Sequence, residues 1–348
     1  MRYLQTTRET QMFKRRNMRI ALAVMTMVTA IVSGACNQSP QTKDGSVTKL
    51  TIGALIPSFS SYTIYVAFEK DCFKKQGLDV TLESFPHGKA SLEALMEGKV
   101  DFATSSETPF MHAVSKGGKI CLVASMITGE KHLAVVGRKD RGISAPKDLK
   151  GKRIGVTTGS NGEYFLDTVL LLNGVSRDQI ETINVKPKKM FDVLMKGDVD
   201  AIATWNPQMS QALKALGEKG VAFYAEGLYS PAFVISAKKE YVRKNPETVQ
   251  RVVRALVNAS QIIAEDPEGS RAIVARHLGT DKDLLDAMSA TYHFRITLDQ
   301  SLLATLENQC KWAIGHGIAG HKKIPNYLDY ICMDALETVD SNAVTIIR

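Results

Sequence analysis

A turn rich in hydroxyl groups and glycine, residues 157–162, has the clearest chemistry in this sequence. It reads Thr-Thr-Gly-Ser-Asn-Gly and lies between a predicted strand and a predicted helix. The first N–H groups of a helix have no partner inside it, and the helix dipole makes that end positive. Thr158 and Ser160 add hydroxyl donors, and Gly159 lets a ligand approach the backbone. The turn therefore predicts an anion site; the alternative, compatible with it, is that Ser160 or Asn161 only caps its own helix.

Similar donors follow two other predicted strands. Ser60, Ser61 and Tyr62 come after the first strand of the chain, and Ser105 and Ser106 come after the third. In open parallel α/β sheets, ligands bind beyond the carboxyl ends of the strands. We therefore expect these side chains to face the same ligand as the glycine-containing turn.

Three further residues are candidates for the wall of a ligand cleft. Trp205 and Asn206 directly follow a predicted strand, and Tyr229 lies where the chain is expected to return from one lobe to another. An aromatic ring with a polar tip can line such a cleft. For the two aromatic residues, packing in a core is the open alternative.

A short motif that occurs twice indicates how these residues are positioned. Leu-Met-Glu-Gly-Lys-Val-Asp at residues 95–101 returns as Leu-Met-Lys-Gly-Asp-Val-Asp at residues 194–200. In both copies a helical stretch ends at a glycine, the residue that most easily adopts the left-handed conformation after a helix. A short β-compatible run and a polar, proline-containing loop follow. The repeat predicts two similar α/β lobes that present their polar loops to one cleft.

The order of the predicted elements gives the fold class. Strands alternate with helices from residue 49 onward, which predicts mostly parallel sheets covered by helices. A polar stretch from Gly142 marks a second lobe, and the sequence after residue 240 is mostly helical. The predicted divisions are 1–35 for a signal peptide, 36–48 for a flexible tether, 49–139 with 232–348 for lobe 1, and 140–231 for lobe 2.

Charge and composition exclude a nucleic-acid-binding role. The formal net charge of +8 is concentrated at the N-terminus, where the first 35 residues hold six basic residues and one acidic residue. Without that excess of five, the remaining 38 basic and 35 acidic residues leave a net charge of +3. No basic run with interleaved aromatic residues occurs elsewhere, so we expect no nucleic-acid partner.

The N-terminal segment has the features of an export signal. Basic residues at 14–19 precede an apolar run at 20–32, which is too short to span a bilayer comfortably. Small residues then lead to Cys36, as in bacterial lipoprotein signals, although Ser33 stands where an aliphatic residue is usual. We expect an exported protein lipidated at Cys36. The alternative is an ordinary secretory signal cleaved near Ala35; Met1, Met12 or Met18 would each start a complete signal.

The remaining sequence offers no metal site and no catalytic motif. Seven histidines never form a metal-binding spacing, and neither a nucleotide-binding P-loop nor a nucleophile elbow is present. Four cysteines remain after export, Cys72, Cys121, Cys310 and Cys332, and they allow three pairings. Free, buried thiols are the favoured expectation, ahead of a Cys310–Cys332 pair. We expect no cofactor.

An ordered set of motifs gives the chain a family likeness. The set comprises a lipoprotein-type signal and segments at 50–53, 66–80, 97–101, 149–156 and 196–207. It resembles the substrate-binding proteins of ABC transporters, in the nitrate/sulfonate/taurine class that is also called NMT1-like. The likeness covers residues 49–240 well and is looser beyond them.

The resemblance implies a type II periplasmic-binding fold, in which two lobes close on a ligand like a hinge. It implies a monomer that binds a small solute, interacts with an ABC permease and its ATPase, and contacts the membrane only through a lipid anchor.

Asn206 stands where many members have Glu, and the matched loops hold almost no Lys or Arg. These departures favour an organic solute, a sulfonate-like anion or a pyrimidine-type heterocycle; Glu107 would favour one with a cationic or N–H group. The implied ligand residues are Ser60, Ser61, Tyr62, Ser105, Ser106, Thr158, Gly159, Ser160, Trp205 and Asn206, and Tyr229 is added from its position.

Two other functions stay open at this point. A ligand-sensing module on the cell surface would use the same fold, and a permease and an ATPase encoded beside it would argue against that role. An enzyme that makes the thiamine pyrimidine is the other alternative, since some members of the superfamily do so in eukaryotes. That chemistry relies on a cysteine-rich cluster, whereas the cysteines here are dispersed.

Overall fold

Two β-sheets organise the part of the chain that the computed structural model describes, residues 47–348 except 57, 226, 280–284, 287, 288 and 290. The strands are β1 Thr48–Leu55, β2 Leu78–Phe85, β3 Phe102–Ser106, β4 Ile120–Gly129, β5 Leu133–Arg138, β6 Arg153–Val156, β7 Glu181–Asn184, β8 Ala201–Trp205, β9 Gly220–Phe223, β10 Ala232–Lys238 and β11 Tyr292–His293. The first sheet has the order β11-β4-β10-β3-β1-β2, and the second has the order β7-β6-β8-β5-β9.

Helices cover both sheets. They are α1 Tyr62–Glu69, α2 Cys72–Lys75, α3 Gly88–Glu97, α4 Glu107–Ser115, α5 Asn161–Leu172, α6 Met190–Lys196, α7 Gln208–Leu216, α8 Lys239–Lys244, α9 Pro246–Glu265, α10 Pro267–Leu278, α11 Gln300–Gly315 and α12 Asp334–Val339. We call the first sheet with its helices the first lobe, and the second sheet with α5, α6 and α7 the second lobe.

Strand direction places the polar loops of both lobes at adjoining edges. In the first sheet β1, β2 and β3 are parallel, and β10 is antiparallel to both β3 and β4. In the second sheet β6, β7 and β8 are parallel, and β5 is antiparallel to both β8 and β9. Only residues 130–132 separate β4 from β5, so the carboxyl edges of the two sheets meet where the chain crosses between lobes.

The lobe boundary differs from the sequence expectation. We expected lobe 1 to run to residue 139, but β5 pairs with β8 and β9 of the second sheet. The chain therefore leaves the first sheet at Gly129. A short apolar strand has the same pattern in either sheet, so its periodicity could not show which sheet it joins. The expected return of the chain agrees with β10, which lies between β3 and β4.

The repeated motif corresponds to a repeated structure. Asp101 follows α3 and accepts a hydrogen bond from the Thr51 N–H at its Oδ2 atom, over 2.8 Å. Asp200 follows α6 and accepts one from the Arg153 N–H in the same way, over 3.0 Å. In both copies the aspartate N–H donates back to the carbonyl of the same strand residue. Each aspartate thus holds its own strand against the strand next to it.

Separate apolar cores support the two lobes. The first includes the predicted stripe of α9, where Val249, Val252, Val253 and Leu256 are buried. The second lobe has one apolar cluster that contains residues of α5 and another that contains residues of α6 and α7. A sheet with apolar side chains on both faces is the expected result of strand–helix alternation.

A disulfide replaces the expected free thiols at two positions. Cys121 in β4 and Cys332 form this bond across 211 residues of sequence, while Cys72 and Cys310 are free and buried. The C-terminal segment runs beside β4, where Leu122 bridges to Ile331. Sequence spacing could not reveal this pairing because only the tertiary fold brings the two cysteines together.

Candidate functional site

The turn after β1 supplies one of the unpartnered hydroxyl groups of the first lobe. Ser60 and Ser61 lie in a 3-10 turn, Phe59–Ser61, that leads into α1. The Ser60 hydroxyl shares a 2.8 Å hydrogen bond with the Ser58 hydroxyl. The Ser61 Oγ atom is buried and has no hydrogen-bond partner among the described residues. Since buried polar atoms are normally paired, Ser61 is a candidate ligand donor.

The end of β3 supplies a second unpartnered hydroxyl. Ser105 is buried, and its Oγ atom has no hydrogen-bond partner in the part of the chain that the structure describes. Ser106 precedes α4 but makes no side-chain hydrogen bond to that helix. The turn that contains Ser60 and Ser61 packs beside β3. The structure therefore brings the predicted serines of the first lobe together at one edge.

Tyr62 has a different environment from the serines beside it. Its ring is 1% exposed and packs 4.3 Å from the Phe294 ring and 5.3 Å from the Phe59 ring, between centroids. Burial raises the pKa of its hydroxyl. The structure places Tyr62 in the aromatic packing of the first lobe, an environment that its sequence position does not indicate.

In the second lobe, two donors of the predicted anion-binding turn, residues 157–162, already form hydrogen bonds within the protein. The Gly159 N–H donates to the Glu163 Oε2 atom over 2.7 Å, and the Ser160 hydroxyl donates to the Thr157 carbonyl over 2.6 Å. The Ser160 side chain makes no hydrogen bond to the first turn of α5, so the capping alternative is wrong for this residue, and its hydroxyl is used within the turn instead. The first-turn N–H groups of α5 still face the end of the helix, as in any helix.

The carboxylate of Glu163 lies at the start of α5, and a cationic side chain balances its negative charge. Glu163 forms a 3.0 Å ion pair with Arg177, beside the glycine bond. The Thr158 N–H donates to the Asn184 Oδ1 atom over 3.2 Å. The sequence prediction missed Glu163 because a glutamate in a first helical turn is common and is usually exposed.

Trp205 and Asn206 lie where β8 ends. The Trp205 ring is half-buried and covers the start of α5, since a Cβ atom at Gly162 would lie 3.3 Å from it. The Asn206 Oδ1 atom accepts a 2.6 Å hydrogen bond from the Ser210 hydroxyl. Asn206 also lies beside the buried Tyr292 hydroxyl of the first lobe. Asn206 therefore lies at the contact between the lobes, whereas the contact described for Trp205 is within the second lobe.

Tyr229 and Glu107 form a buried contact between the lobes. The Tyr229 ring belongs to the second-lobe core, and its hydroxyl donates to Glu107 at the start of α4. The carboxylate also accepts hydrogen bonds from the Ala232 N–H, over 2.9 Å, and from the Gln309 side-chain amide, over 2.8 Å. Glu107 is fully buried, and this burial raises the pKa of its carboxyl. The expectation that Glu107 faces a ligand is wrong, because groups of the protein itself donate the hydrogen bonds that its carboxylate accepts.

Gln309 was missed by the sequence analysis, although it left a signal. It falls on the buried face of α11 with Leu302, Leu306 and Ala313, at helical spacing. A polar residue on such an apolar stripe needs a hydrogen-bond partner elsewhere. The spacing therefore indicates a buried polar contact, but it does not identify Glu107 as the partner.

A second contact between the lobes joins α5 to α11. The Trp312 indole N–H donates to the Asp167 Oδ2 atom over 2.6 Å, and His316 Nε2 lies 3.2 Å from the same oxygen. Arg177 forms an ion pair with Asp167. The Trp312 ring packs edge-on against Tyr164, with centroids 5.4 Å apart. Nothing in the local sequence pattern of either helix predicts this contact.

The first crossover between the lobes carries a buried histidine. His132 shares a short hydrogen bond with the Tyr292 hydroxyl, and its ring packs edge-on against Phe233. Complete burial lowers the pKa of His132 to about 3. The imidazole is therefore neutral at pH 7, which suits a packed position between two sheets.

Within the described residues, no group of three or more His, Cys, Asp or Glu side chains is arranged to hold a metal ion. None of the helices formed by those residues is long and apolar enough to cross a membrane. Cys36, the predicted lipidation site, lies outside the described residues together with the signal and most of the tether.

Comparison with known proteins identifies the family. The model of the family described as NMT1/THI5 like matches residues 58–270, which is more than half of the chain. The chain belongs to the NMT1/THI5-like family. This confirms the resemblance found in the sequence motifs, and the matched region contains every predicted ligand residue.

Relatives in this family carry the names of binding proteins. A candidate binding protein of Brucella abortus (strain 2308) is 26% identical over 240 residues, covering 68% of this chain and 73% of its own length. The taurine-binding periplasmic protein of Escherichia coli (strain K12) is 28% identical over 199 residues, covering 56% of this chain and 61% of its own length.

Solved structures confirm the predicted fold. The alkanesulfonate-binding protein SsuA of Xanthomonas axonopodis pv. citri, solved with MOPS, has a TM-score of 0.72 and 21% identity, covering 82% of this chain and 99% of its own. The periplasmic aliphatic sulphonate binding protein SsuA of Escherichia coli has a TM-score of 0.73 and 20% identity, covering 83% and 99%. The chain thus has the two-lobed periplasmic-binding-protein fold.

Proposed function

We propose that this protein is the exported solute-binding component of an ABC importer. It captures a small organic anion between its two lobes and delivers the anion to a permease that works with an ATPase. The observation that carries this proposal is the pair of buried hydroxyls on Ser61 and Ser105, which have no partner among the described residues. Ser61 lies in the turn after β1 and Ser105 lies one residue before the end of β3, so both are at the carboxyl edge that faces the second lobe.

The chemistry of this edge favours an anion bound by neutral donors. Helices α1, α4 and α5 all begin there, each after a serine, and helix N-termini attract negative charge. Arg177, which follows α5 in the sequence, already forms ion pairs with Glu163 and Asp167 of that helix. A sulfonate suits such a site because its three oxygens accept several hydrogen bonds while its charge is spread over them. The names of the taurine- and sulfonate-binding relatives agree with this choice.

A pyrimidine-type heterocycle is the second candidate ligand. The half-buried Trp205 ring at the end of β8 offers a flat surface on which a heterocycle can stack. Asn206 beside it supplies an amide that can pair with ring nitrogens. The two candidates make different demands, since a heterocycle needs the indole face and a sulfonate needs the serine hydroxyls.

Thermal unfolding with a panel of solutes tests the proposal. The panel contains taurine, alkanesulfonates, nitrate, bicarbonate and pyrimidine precursors, each in excess. A ligand at a hundred times its dissociation constant adds about 2.7 kcal/mol to the free energy of unfolding. At roughly 2–4 °C per kcal/mol, the melting temperature then rises by several degrees.

Sulfonates are expected to raise the melting temperature, while sodium chloride at the same concentration serves as a control for ionic strength. A rise with pyrimidine precursors alone would replace the sulfonate by the heterocycle. No rise with any solute, from folded and ligand-free protein, would contradict the proposed function.

The proposal includes export and a lipid anchor at Cys36. Support comes from the basic and apolar N-terminal residues in the sequence and from the periplasmic relatives. The test is fractionation of cells that produce the native protein or the Cys36→Ser variant. The native protein is expected in the membrane fraction and the variant outside it, and equal distribution of the two would contradict the anchor.

A further inference from the structure

A groove of about 1230 Å³ lies between α3 and α4 on the first lobe, beside the serine edge. Both helices begin at the carboxyl ends of strands and run away from the second lobe. Each contributes one face with helical spacing of three, four and seven residues. These faces are Lys89, Leu92, Glu93 and Met96 on α3, and Pro109, His112 and Ala113 on α4 together with Lys116, the residue directly after α4.

Apolar side chains line the middle of the groove. Leu92 and Ile120 are buried beneath it, and Met96 is a large apolar side chain with 38% exposure. Ala113 and Ile318 complete this lining. An exposed methionine in a concave apolar surface is typical of a site that accepts a flexible apolar chain.

The rim of the groove is strongly positive. Six cations line it against two acids, and one of the acids, Glu93, pairs with a cation of the rim while the other pairs with a lysine outside the groove. Glu93 lies 3.8 Å from Lys89, and Glu240 lies 2.7 Å from Lys244, which is outside the groove. The excess of positive charge favours an anionic occupant. The six cations are Lys89, Lys116, Lys119, Lys238, Lys239 and Arg243.

A buried nitrogen without a partner lies where the groove reaches the second lobe. His112 Nε2 has no hydrogen-bond partner among the described residues. Thr158 and Gly159 line the groove from the second lobe, and a Cβ atom at Gly159 would lie 4.0 Å from that nitrogen. Burial and the charges of Lys116 and Lys89 lower the pKa of His112 to about 4, so the ring is neutral at pH 7.

We propose that this groove binds a single-chain anionic amphiphile from solution, with a sulfonate or carboxylate head and an alkyl tail. The tail lies along Leu92, Met96 and Ala113, and the head meets the cations near Lys116 and Lys119. Ser61 and Ser105 do not line the groove, which shares only Thr158 and Gly159 with the predicted ligand residues of the cleft. The inference therefore goes beyond the proposed function and does not depend on it.

The size and shape of the groove support this class of ligand. Pockets for compact small molecules usually enclose about 300–1,000 Å³. This groove is larger and is bounded along its length by two helices. A compact anion would contact only one end of it, whereas a head joined to a chain contacts both the cations and the apolar lining.

Calorimetric titration with three probes tests the proposal. The probes are decane-1-sulfonate, methanesulfonate and octyl glucoside, all below their micelle concentrations. With the cleft already saturated by ethanesulfonate, decane-1-sulfonate is expected to bind one further molecule per chain, more weakly at higher salt because the head is held by charge. Methanesulfonate and octyl glucoside supply only the head or only the tail, and neither is expected to bind in the groove.

Matched variants locate the binding. The Lys116→Gln/Lys119→Gln pair is expected to weaken decane-1-sulfonate binding about tenfold, since two nearby charges are lost. The control pair Lys147→Gln/Lys150→Gln removes two exposed lysines of the second lobe and is expected to leave binding unchanged. Met96→Gln is expected to weaken the binding of decane-1-sulfonate, because it replaces an apolar contact of the alkyl tail by a polar amide.

Several results would overturn the proposal. Equal weakening in both lysine pairs would show a general charge effect, and binding lost in Ser61→Ala/Ser105→Ala would place the amphiphile in the cleft instead. Binding only to anionic vesicles, or a change in sedimentation of the free Lys116→Gln/Lys119→Gln protein, would identify a membrane or self-association surface. If the solute panel fails while decane-1-sulfonate still binds, only the proposed function of the cleft is lost.

Discussion

The hydroxyls of Ser61 and Ser105 are donors that the described protein leaves unused. Replacing either serine by alanine removes a donor from the ligand without breaking a hydrogen bond of the described protein. We expect solute affinity to fall about five- to tenfold for each variant, as for the loss of one hydrogen bond of about 1 kcal/mol. The midpoint of urea unfolding should not decrease. Titration calorimetry with the solute identified by the panel measures the first quantity.

Ser236→Ala is the matched control for these variants. Ser236 also has a buried hydroxyl without a partner among the described residues, but it lies within β10, opposite Ala103. The same chemical change is therefore made away from the carboxyl edge. An equal loss of affinity in Ser236→Ala, or none in Ser61→Ala, would contradict the assignment of the serines.

His132 gives the protein a specific dependence on pH. Burial holds its pKa at about 3 in the folded state, against 6.5 for the free side chain. Between these values the unfolded chain binds a proton that the folded chain does not. The stabilisation is complete above pH 6.5 and is lost as the pH falls towards about 3. We expect the free energy of unfolding to fall with acidification more steeply in the native protein than in His132→Asn.

The measurement is urea unfolding of both proteins at several pH values between 4 and 7. Other titrating groups act equally in the two proteins, so the difference between them isolates His132. Parallel curves would contradict the burial of a neutral imidazole at the crossover.

At the scale of elements, the two aspartates of the repeated motif differ in one respect. Asp101 holds the Thr51 N–H, whereas Asp200 holds the Arg153 N–H and also forms a 2.8 Å ion pair with the guanidinium group of Arg153. Loss of either acceptor leaves a strand N–H unpaired, at a cost of about 1–3 kcal/mol. We expect Asp200→Ala to destabilise the protein more than Asp101→Ala, as measured by urea unfolding. Unchanged stability in both would contradict a structural role for the repeat.

The sequence predicted most of the elements because each has a local signal. Alternation of apolar residues marked the strands, and glycine marked the ends of α3 and α6 at Gly98 and Gly197. The sequence could not predict which sheet β5 joins, and it could not predict the Cys121–Cys332 bond. Both depend on contacts between segments that are distant in the sequence.

The sequence could predict which loops form the candidate site, but it could not predict the hydrogen-bond partners of individual side chains. Ser61, Ser105 and Trp205 lie at or next to strand ends in the structure, and their roles as ligand residues stay predictions. The role of a side chain depends on its partners, and sequence spacing does not reveal them. For this reason the internal bond of Gly159 and the buried environment of Glu107 came only from the structure.

At the scale of the whole molecule, contacts between α5 and α11 hold the lobes against each other. The indole N–H of Trp312 donates to Asp167, and Trp312→Phe removes this donor while it keeps an aromatic ring beside Tyr164. The arrangement in which the two lobes are in contact then becomes less populated, and apparent affinity falls with that population. We expect a few-fold weaker solute binding and a larger radius of gyration by X-ray scattering.

Lys311→Gln is the control, because Lys311 is an exposed neighbour on the same helix. Its scattering curve and solute affinity should match those of the native protein. A Trp312→Phe protein with the native radius of gyration and the native affinity would show that this contact does not control closure.

The most direct test of the ligand cleft is a calorimetric titration of the native protein with ethanesulfonate and, separately, with the uncharged propanamide. The two solutes are similar in size, and only the first carries a negative charge. We predict that ethanesulfonate binds at one molecule per chain and that propanamide gives no heat beyond dilution. Binding of both with equal affinity, or of neither, would contradict the claim that the two lobes enclose a site for an organic anion.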